Sequence, residues 1–157
     1  MDGPDGEIIS RLPQGAEKEA GMISEDMKQK LVREAIRARK NSYCRYSGFA
    51  VGAALLCGSG KIYRGANVEN ASYGLTNCAE RSAAFAAVSA GERKFTAIAI
   101  VGAPSGEKAT QICPPCGSCR QVLAEFGTPD MPVILGTETG ECTERTLADL
   151  LPDTFKL

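Results

Sequence analysis

Hydrophobic and polar positions along the chain follow two different rhythms. Met27, Leu31, Ala35 and Arg39 recur every four residues, and Val32 and Ile36 widen the stripe, as on one buried helix face. Ser24 stands ahead of them as an N-cap, with Glu25 and Asp26 in the first turn, so a helix is expected from there to about residue 41. Over 49–57 the four-residue period disappears. Phe-Ala-Val-Gly-Ala-Ala-Leu-Leu-Cys is a short apolar run that leads into Gly58-Ser-Gly60 and then Lys61-Ile-Tyr-Arg64, which predicts a β-hairpin with a glycine-rich turn. Residues 78–90 are alanine-rich and stop at Gly91, a helix with a glycine terminator. Residues 95–101 read as a buried strand, 116–126 as a helix ending at Gly127, and 133–135 as a short strand. A further strand is expected near 141–145, and Thr146 caps a last short helix over 147–151. Strands interleaved with helices predict a three-layer α/β domain around a mixed sheet. Residues 1–21 break the pattern. They carry Gly3, Gly6, Gly15, Gly21 and two prolines without an amphipathic period, so they are read as a flexible extension ahead of a domain over 22–157.

Composition narrows the class. A chain of 157 residues, 43% hydrophobic and 24% charged, suits one domain with a sizeable core. The net charge is -1 and the pI about 5.6, which argues against a nucleic-acid partner. No apolar run approaches the roughly 20 residues that span a bilayer, so no membrane partner is expected. The N-terminus MDGPDGEIIS has no apolar core of the kind a signal peptide needs, which makes a cytoplasmic location the expectation.

The candidate chemistry lies in the cysteines. There are seven, and histidine is absent. Cys113, Cys116 and Cys119 lie within seven positions, and an odd thiol count in a reducing compartment points to metal or redox chemistry rather than disulfides. Without histidine, a metal site has to be rich in sulfur or carboxylate, and a proton shuttle has to be a carboxylate, Cys, Lys or Tyr. Cys78 and Cys116 both fall at expected helix N-termini, where backbone amides and the helix dipole favour a thiolate. Cys116 and Cys119, three apart, share one helix face. With Cys78 they could grip one metal and leave a fourth tetrahedral position for water, the layout of a catalytic zinc site. Glu80 stands two residues past Cys78. Arg81 is placed to donate hydrogen bonds to the sulfurs and to offset their charge. Cys44, Cys57 and Cys142 are read as buried structural thiols.

Cys-Ala-Glu-Arg at 78–81 with Pro-Cys-Gly-Ser-Cys-Arg-Gln at 115–121 resembles the small, all-cysteine type of cytidine deaminase. Tyr46-Ser-Gly-Phe49, Val51-Gly-Ala53, Asn67-Val-Glu-Asn-Ala71 and Leu150-Leu-Pro152 extend the likeness from about Met27 to Phe155. The resemblance implies an αβα sandwich around a five-stranded sheet and a homotetramer with shared active sites. It implies one Zn²⁺ per chain on Cys78, Cys116 and Cys119, with Arg81 supporting the sulfurs. It implies hydrolytic deamination of cytidine and deoxycytidine in pyrimidine salvage. The metal makes hydroxide available near neutral pH, and Glu80 moves protons between water, the N3 of cytosine and the departing ammonia. By the same likeness Phe49 lies against the base, Asn67 and Glu69 bond the ribose 3′-hydroxyl, and Ala71, Tyr73 and Phe155 reach the site of a neighbouring subunit. Alternation places Asn67 and Glu69 on one face at a strand end, with Val68 on the other.

The chain departs from this pattern at residues 1–21, at Ser118, where alanine is frequent, and at Cys113. Cys113-Pro-Pro-Cys116 is by itself a redox-type C-x-x-C, so a thiol oxidoreductase is the main reading outside hydrolysis, although it leaves Cys78, Glu80 and Cys119 without a task. A structural zinc module needs a fourth protein ligand. A polynucleotide-editing deaminase is disfavoured by the acidic pI and by 6% aromatics. Deaminases of related cytosine nucleosides share the zinc motifs.

Overall fold

The structure, a computed structural model, describes residues 22–157. The extension expected over 1–21 lies outside the described residues. Helix α1 (Glu25–Arg39) precedes a hairpin of β1 (Phe49–Cys57) and β2 (Ile62–Ala66). Helix α2 (Ala79–Ser89), β3 (Phe95–Pro104), α3 (Gly117–Phe126), β4 (Pro132–Gly136), β5 (Cys142–Thr146) and α4 (Leu147–Leu150) follow. The five strands form one sheet in the order β2-β1-β3-β4-β5, with β3 and β4 parallel and the other neighbours antiparallel. The parallel pair is joined through α3, which lies on the same sheet face as α2.

The alternation of β1 sorts the layers. Ala54 and Leu56 point to α1 and pack with Leu31, Val32, Ala35, Ala99 and Ile134. Ala53, Leu55 and Cys57 point the other way, to Ala83, Ala87, Ile98, Ile100 and Leu123 under α2 and α3. The mixed five-stranded αβα sandwich expected from the sequence is the fold observed.

Small residues set how closely the layers meet. A Cβ at Gly65 would overlap the Ala79 carbonyl and the Ala83 backbone, so glycine lets the first turn of α2 lie directly on β2. That contact holds the start of α2, and with it Cys78 and Glu80, at a fixed height above the sheet.

The expected elements are all present, with shifted ends. Ser24 Oγ accepts from the Met27 amide at 3.2 Å, as an N-cap does. The helix stops at Arg39, two residues early, with Lys40 as its C-cap. The hairpin's second strand starts at Ile62 and runs to Ala66, and β3 continues past Val101 to Pro104. Thr146 caps α4 in a reciprocal capping box with Asp149.

Candidate active site

Two helix starts converge above the sheet. Cys78 is the N-cap of α2 and Cys116 the N-cap of α3, both with extended backbone and no side-chain cap bond, so their thiols are free to turn toward each other. Cys119 lies one turn into α3 and is fully buried. The sulfurs of Cys78 and Cys116 are 3.8 Å apart, those of Cys116 and Cys119 3.5 Å. Among the described residues, these three form the one cluster of potential ligands close enough to share an ion, with all donor atoms within 4.8 Å of one another. Tetrahedral Zn–S bonds of about 2.3 Å place sulfurs about 3.8 Å apart, so the thiol set fits zinc.

The electrostatics support a thiolate centre. Cys78 is held down at about 5, chiefly by hydrogen bonding from Cys119, then by Arg81 and Cys116. Cys119 is shifted upward, because its proton bonds to Cys78 and the residue is buried. Arg81 Nη2 donates to Cys78 Sγ at 3.5 Å. Its buried Nε is, among the described residues, the one buried side-chain nitrogen or oxygen without a partner, an orphan donor beside a sulfur cluster. The guanidinium offsets thiolate charge that zinc alone would leave uncompensated.

Glu80 sits in the first turn of α2, 4% exposed. Burial, more than any other influence, pushes its carboxyl up to about 7. A carboxyl poised there can hold or release a proton near neutrality.

Cys113 is near the cluster and outside it. Its thiol packs against Gly102, where a Cβ would come within 2.8 Å of the sulfur and 3.0 Å of the Phe49 ring. Burial pushes the Cys113 thiol up to about 11, so it stays protonated at neutral pH, unlike the attacking thiol of a redox C-x-x-C. Of the thiols read as structural, Cys44 and Cys57 are buried. Cys142 is exposed at the start of edge strand β5, so the expectation of burial is corrected there.

The remaining candidate residues fall in two places, Phe49, Asn67, Glu69, Ala71 and Tyr73 around the β1 start and the segment after β2, and Phe155 in the C-terminal tail beside α3. Asn67 and Glu69 follow β2 and are buried, while Val68 between them is 51% exposed, so the alternation holds. Asn67 is occupied as a strap: Nδ2 donates to the Phe49 carbonyl at 2.9 Å, and Oδ1 accepts from the Val51 amide at 2.9 Å and from Ser42 Oγ. Glu69 Oε1 accepts from the amides of Tyr46 and Ser47 at 2.9 and 3.0 Å. Hydrogen bonds from Ser47, first its side chain and then its amide, hold the Glu69 carboxyl below its ordinary range. Phe49 is 38% exposed at the start of β1. Ala71 and Tyr73 lie on an exposed loop and 3-10 turn, with Tyr73 76% exposed and stacked edge-on to Tyr46. Phe155 is also exposed, its carbonyl accepting from Gln121 Nε2 at 3.4 Å. A groove lined by Ala124, Gly127, Leu147, Leu151 and Lys156 lies between α3, α4 and the C-terminal tail, away from the thiols.

One participant escaped the sequence reading. Arg39 was placed in the apolar stripe of α1 by its phase; its position in that stripe, with a charge at its end, is the signal of a buried cation.

A thiol cluster that fits zinc, at two helix N-termini and beside a buried carboxyl, defines a metal-dependent hydrolase. The family model described as the cytidine and deoxycytidylate deaminase zinc-binding region matches residues 25–135, a span that contains all three clustered cysteines and Glu80. A cytidine deaminase of Halalkalibacterium halodurans is 52% identical over 128 residues, covering 82% of this chain and 93% of that protein. The crystal structure of a cytidine deaminase from Burkholderia pseudomallei superposes with a TM-score of 0.74 at 47% identity, over 81% of this chain and 98% of that one. A cytidine deaminase structure from Mycobacterium tuberculosis gives 0.68 at 41% identity, over 82% and 97%. The chain belongs to the cytidine and deoxycytidylate deaminase family. It is a hydrolase of C–N bonds whose cysteine cluster fits one zinc ion per chain. No helix among the described residues is long and apolar enough to cross a membrane.

Proposed function

We propose that residues 22–157 form one deaminase domain that converts cytidine and deoxycytidine to uridine and deoxyuridine with release of ammonia. The observation that carries this reading is the Glu80 carboxyl buried in the first turn of α2 beside the three-thiol cluster. Cys78, Cys116 and Cys119 would hold zinc, with Arg81 bonded to the first of them. Bound there, zinc supplies Lewis acidity that makes hydroxide available at neutral pH. Glu80 would take a proton from water and deliver it to N3 of the cytosine ring as oxygen bonds to C4, then take the proton of that new hydroxyl and pass it to the amino group as the C4–N bond breaks and ammonia leaves. A single carboxyl can serve these steps because its pKa lies near the working pH. Phe49, exposed at the end of β1, offers its ring to the base face. Asn67 and Glu69, each tied to backbone by part of its polar group, would bond the ribose 3′-hydroxyl.

The nucleoside side of the site is open in one chain. Tyr73, Phe155 and Ala71 are exposed, and apolar side chains such as Leu75 and Val68 are exposed near them. These features support a homotetramer in which Ala71, Tyr73 and Phe155 complete a neighbour's site. A cytoplasmic location agrees with chemistry that depends on reduced thiols.

An absorbance assay on cytidine, deoxycytidine and free cytosine, run on zinc-loaded protein, tests the reading. Both nucleosides should turn over and cytosine should be a very poor substrate, because the ribose partners are left unpaired. Equal kcat/KM for cytosine and cytidine would refute the nucleoside assignment.

A further inference from the structure

Arg39 ends α1 with its side chain only 11% exposed. Its Nε donates to the Ala50 carbonyl at 2.9 Å, and its Nη2 to the carbonyls of Ala103, Pro104 and Glu107 at 3.1, 2.9 and 2.9 Å. Its Nη1 pairs with Glu138 Oε2 at 3.2 Å. The same carboxyl oxygen accepts from the Ala109 amide at 2.6 Å, and the Glu138 amide donates to the Ala109 carbonyl at 2.7 Å. One planar cation thus joins the end of α1, the start of β1, the end of β3 and the loop after it. Glu138, just past β4, closes the far side of that loop.

A desolvated guanidinium is a poor choice for packing alone, because apolar side chains of similar volume serve as well or better. What Arg39 does that an apolar residue cannot is donate to four carbonyls from three segments of the chain at once. Those carbonyls sit at two places that matter to the site. In the β1–β3 register Phe49 pairs with Pro104 and Ala50 with Ala103, so Arg39 grips both strands at the level of Phe49. The Ser105 amide adds a bond to the Gly48 carbonyl at 2.7 Å beside it. The other place is the loop over 105–109, the first half of the segment that ends at Cys116.

We infer that Arg39, closed by Glu138, is a positioning residue that aims Phe49 and anchors the segment delivering Cys116 to the metal. The Phe49 half rests on the nucleoside reading above; the Cys116 half does not. Arg39→Gln removes the fork, and Glu138→Gln removes the charge that closes it. The measurement is zinc affinity by chelator competition, at a temperature where circular dichroism shows the variant folded, together with kcat and KM for cytidine. Folded Arg39→Gln should bind zinc about tenfold or more weakly, as loss of an outer support typically does, and KM should rise about tenfold with kcat changed less. Glu138→Gln should shift both quantities in the same direction by less. If Arg39→Gln does not fold, Glu138→Gln decides alone. Wild-type zinc affinity and KM in a folded variant, with only a lowered Tm, would make the clasp purely structural and overturn the inference. If the wild-type chain does not deaminate cytidine, the nucleoside reading and the Phe49 half fall together, and zinc competition still decides the Cys116 half.

Discussion

At the metal, each group is set by a helix start: Cys78 and Glu80 at the head of α2, Cys116 and Cys119 at the head of α3, and Arg81 reaching back to a sulfur. Among the residues proposed to meet the nucleoside, the polar groups are tied to backbone on neighbouring segments, and the aromatic groups stand in the open. One half is electrostatically tuned within a single chain, with Cys119 and Glu80 buried. The other consists of backbone-anchored polar groups and exposed rings, which the proposed homotetramer would cover with a second copy. Zinc affinity and catalysis should therefore respond differently to assembly.

The sharpest break of that comparison is dissociation. A monomer produced by dilution or by a charged substitution at exposed Leu75 should keep its zinc and lose its turnover. Light scattering beside metal analysis and an activity assay checks this, and a fully active monomer would remove the difference between the halves.

Within the metal half, ligands and proton shuttle should also come apart. Glu80→Gln should stay folded and zinc-loaded while kcat drops by about 10²–10⁴-fold. Cys119→Ser should lose zinc and activity together. Near-normal turnover by zinc-loaded Glu80→Gln would end the assignment.

The same carboxyl makes a prediction about stability. Its folded pKa of about 7 stands above the ordinary 4.5, chiefly through burial. The folded chain therefore binds that proton more tightly than the unfolded chain, and Glu80 lowers metal-free stability as pH rises from 4.5 toward 7. At pH 8 metal-free Glu80→Gln should exceed wild type by on the order of 3 kcal/mol, and the advantage should vanish near pH 4. Denaturant titrations of both proteins across pH isolate Glu80 from Cys78, whose lowered pKa gives the opposite slope. A pH-independent difference would contradict the burial argument.

The smallest effect belongs to Cys113. Cys113→Ser should leave zinc content unchanged and activity within about twofold, since a half-buried neutral thiol outside the cluster exchanges for a hydroxyl of similar size. Zinc loss in that variant would reopen the ligand set.

The difference between the halves also governs what could be read from the sequence. Helix starts are local signals: an alanine-rich run stopped by Gly91, and a run from Cys116 to Gly127, place two cysteines at N-termini without knowledge of the fold. Asn67 and Glu69 fell on one face by strand alternation, yet their work depends on Phe49, Val51 and Tyr46 arriving from β1 and the loop before it. Such partners are distant in sequence and carry no local signature. Arg39 was hidden for a related reason: periodicity records that a position faces inward and is silent about the carbonyls waiting there. Cys142 failed because burial was inferred from residue type alone, while its strand lies at the sheet edge.

A centre with three sulfur donors and no nitrogen or oxygen donor is soft in the sense used for metal complexes. Thiolates favour polarisable cations such as copper(I), cadmium and mercury, and have little affinity for magnesium or calcium. Cys116 is exposed, so such ions reach the cluster directly. The cluster should accordingly ignore the abundant hard cations of a cell and yield to the rare soft ones.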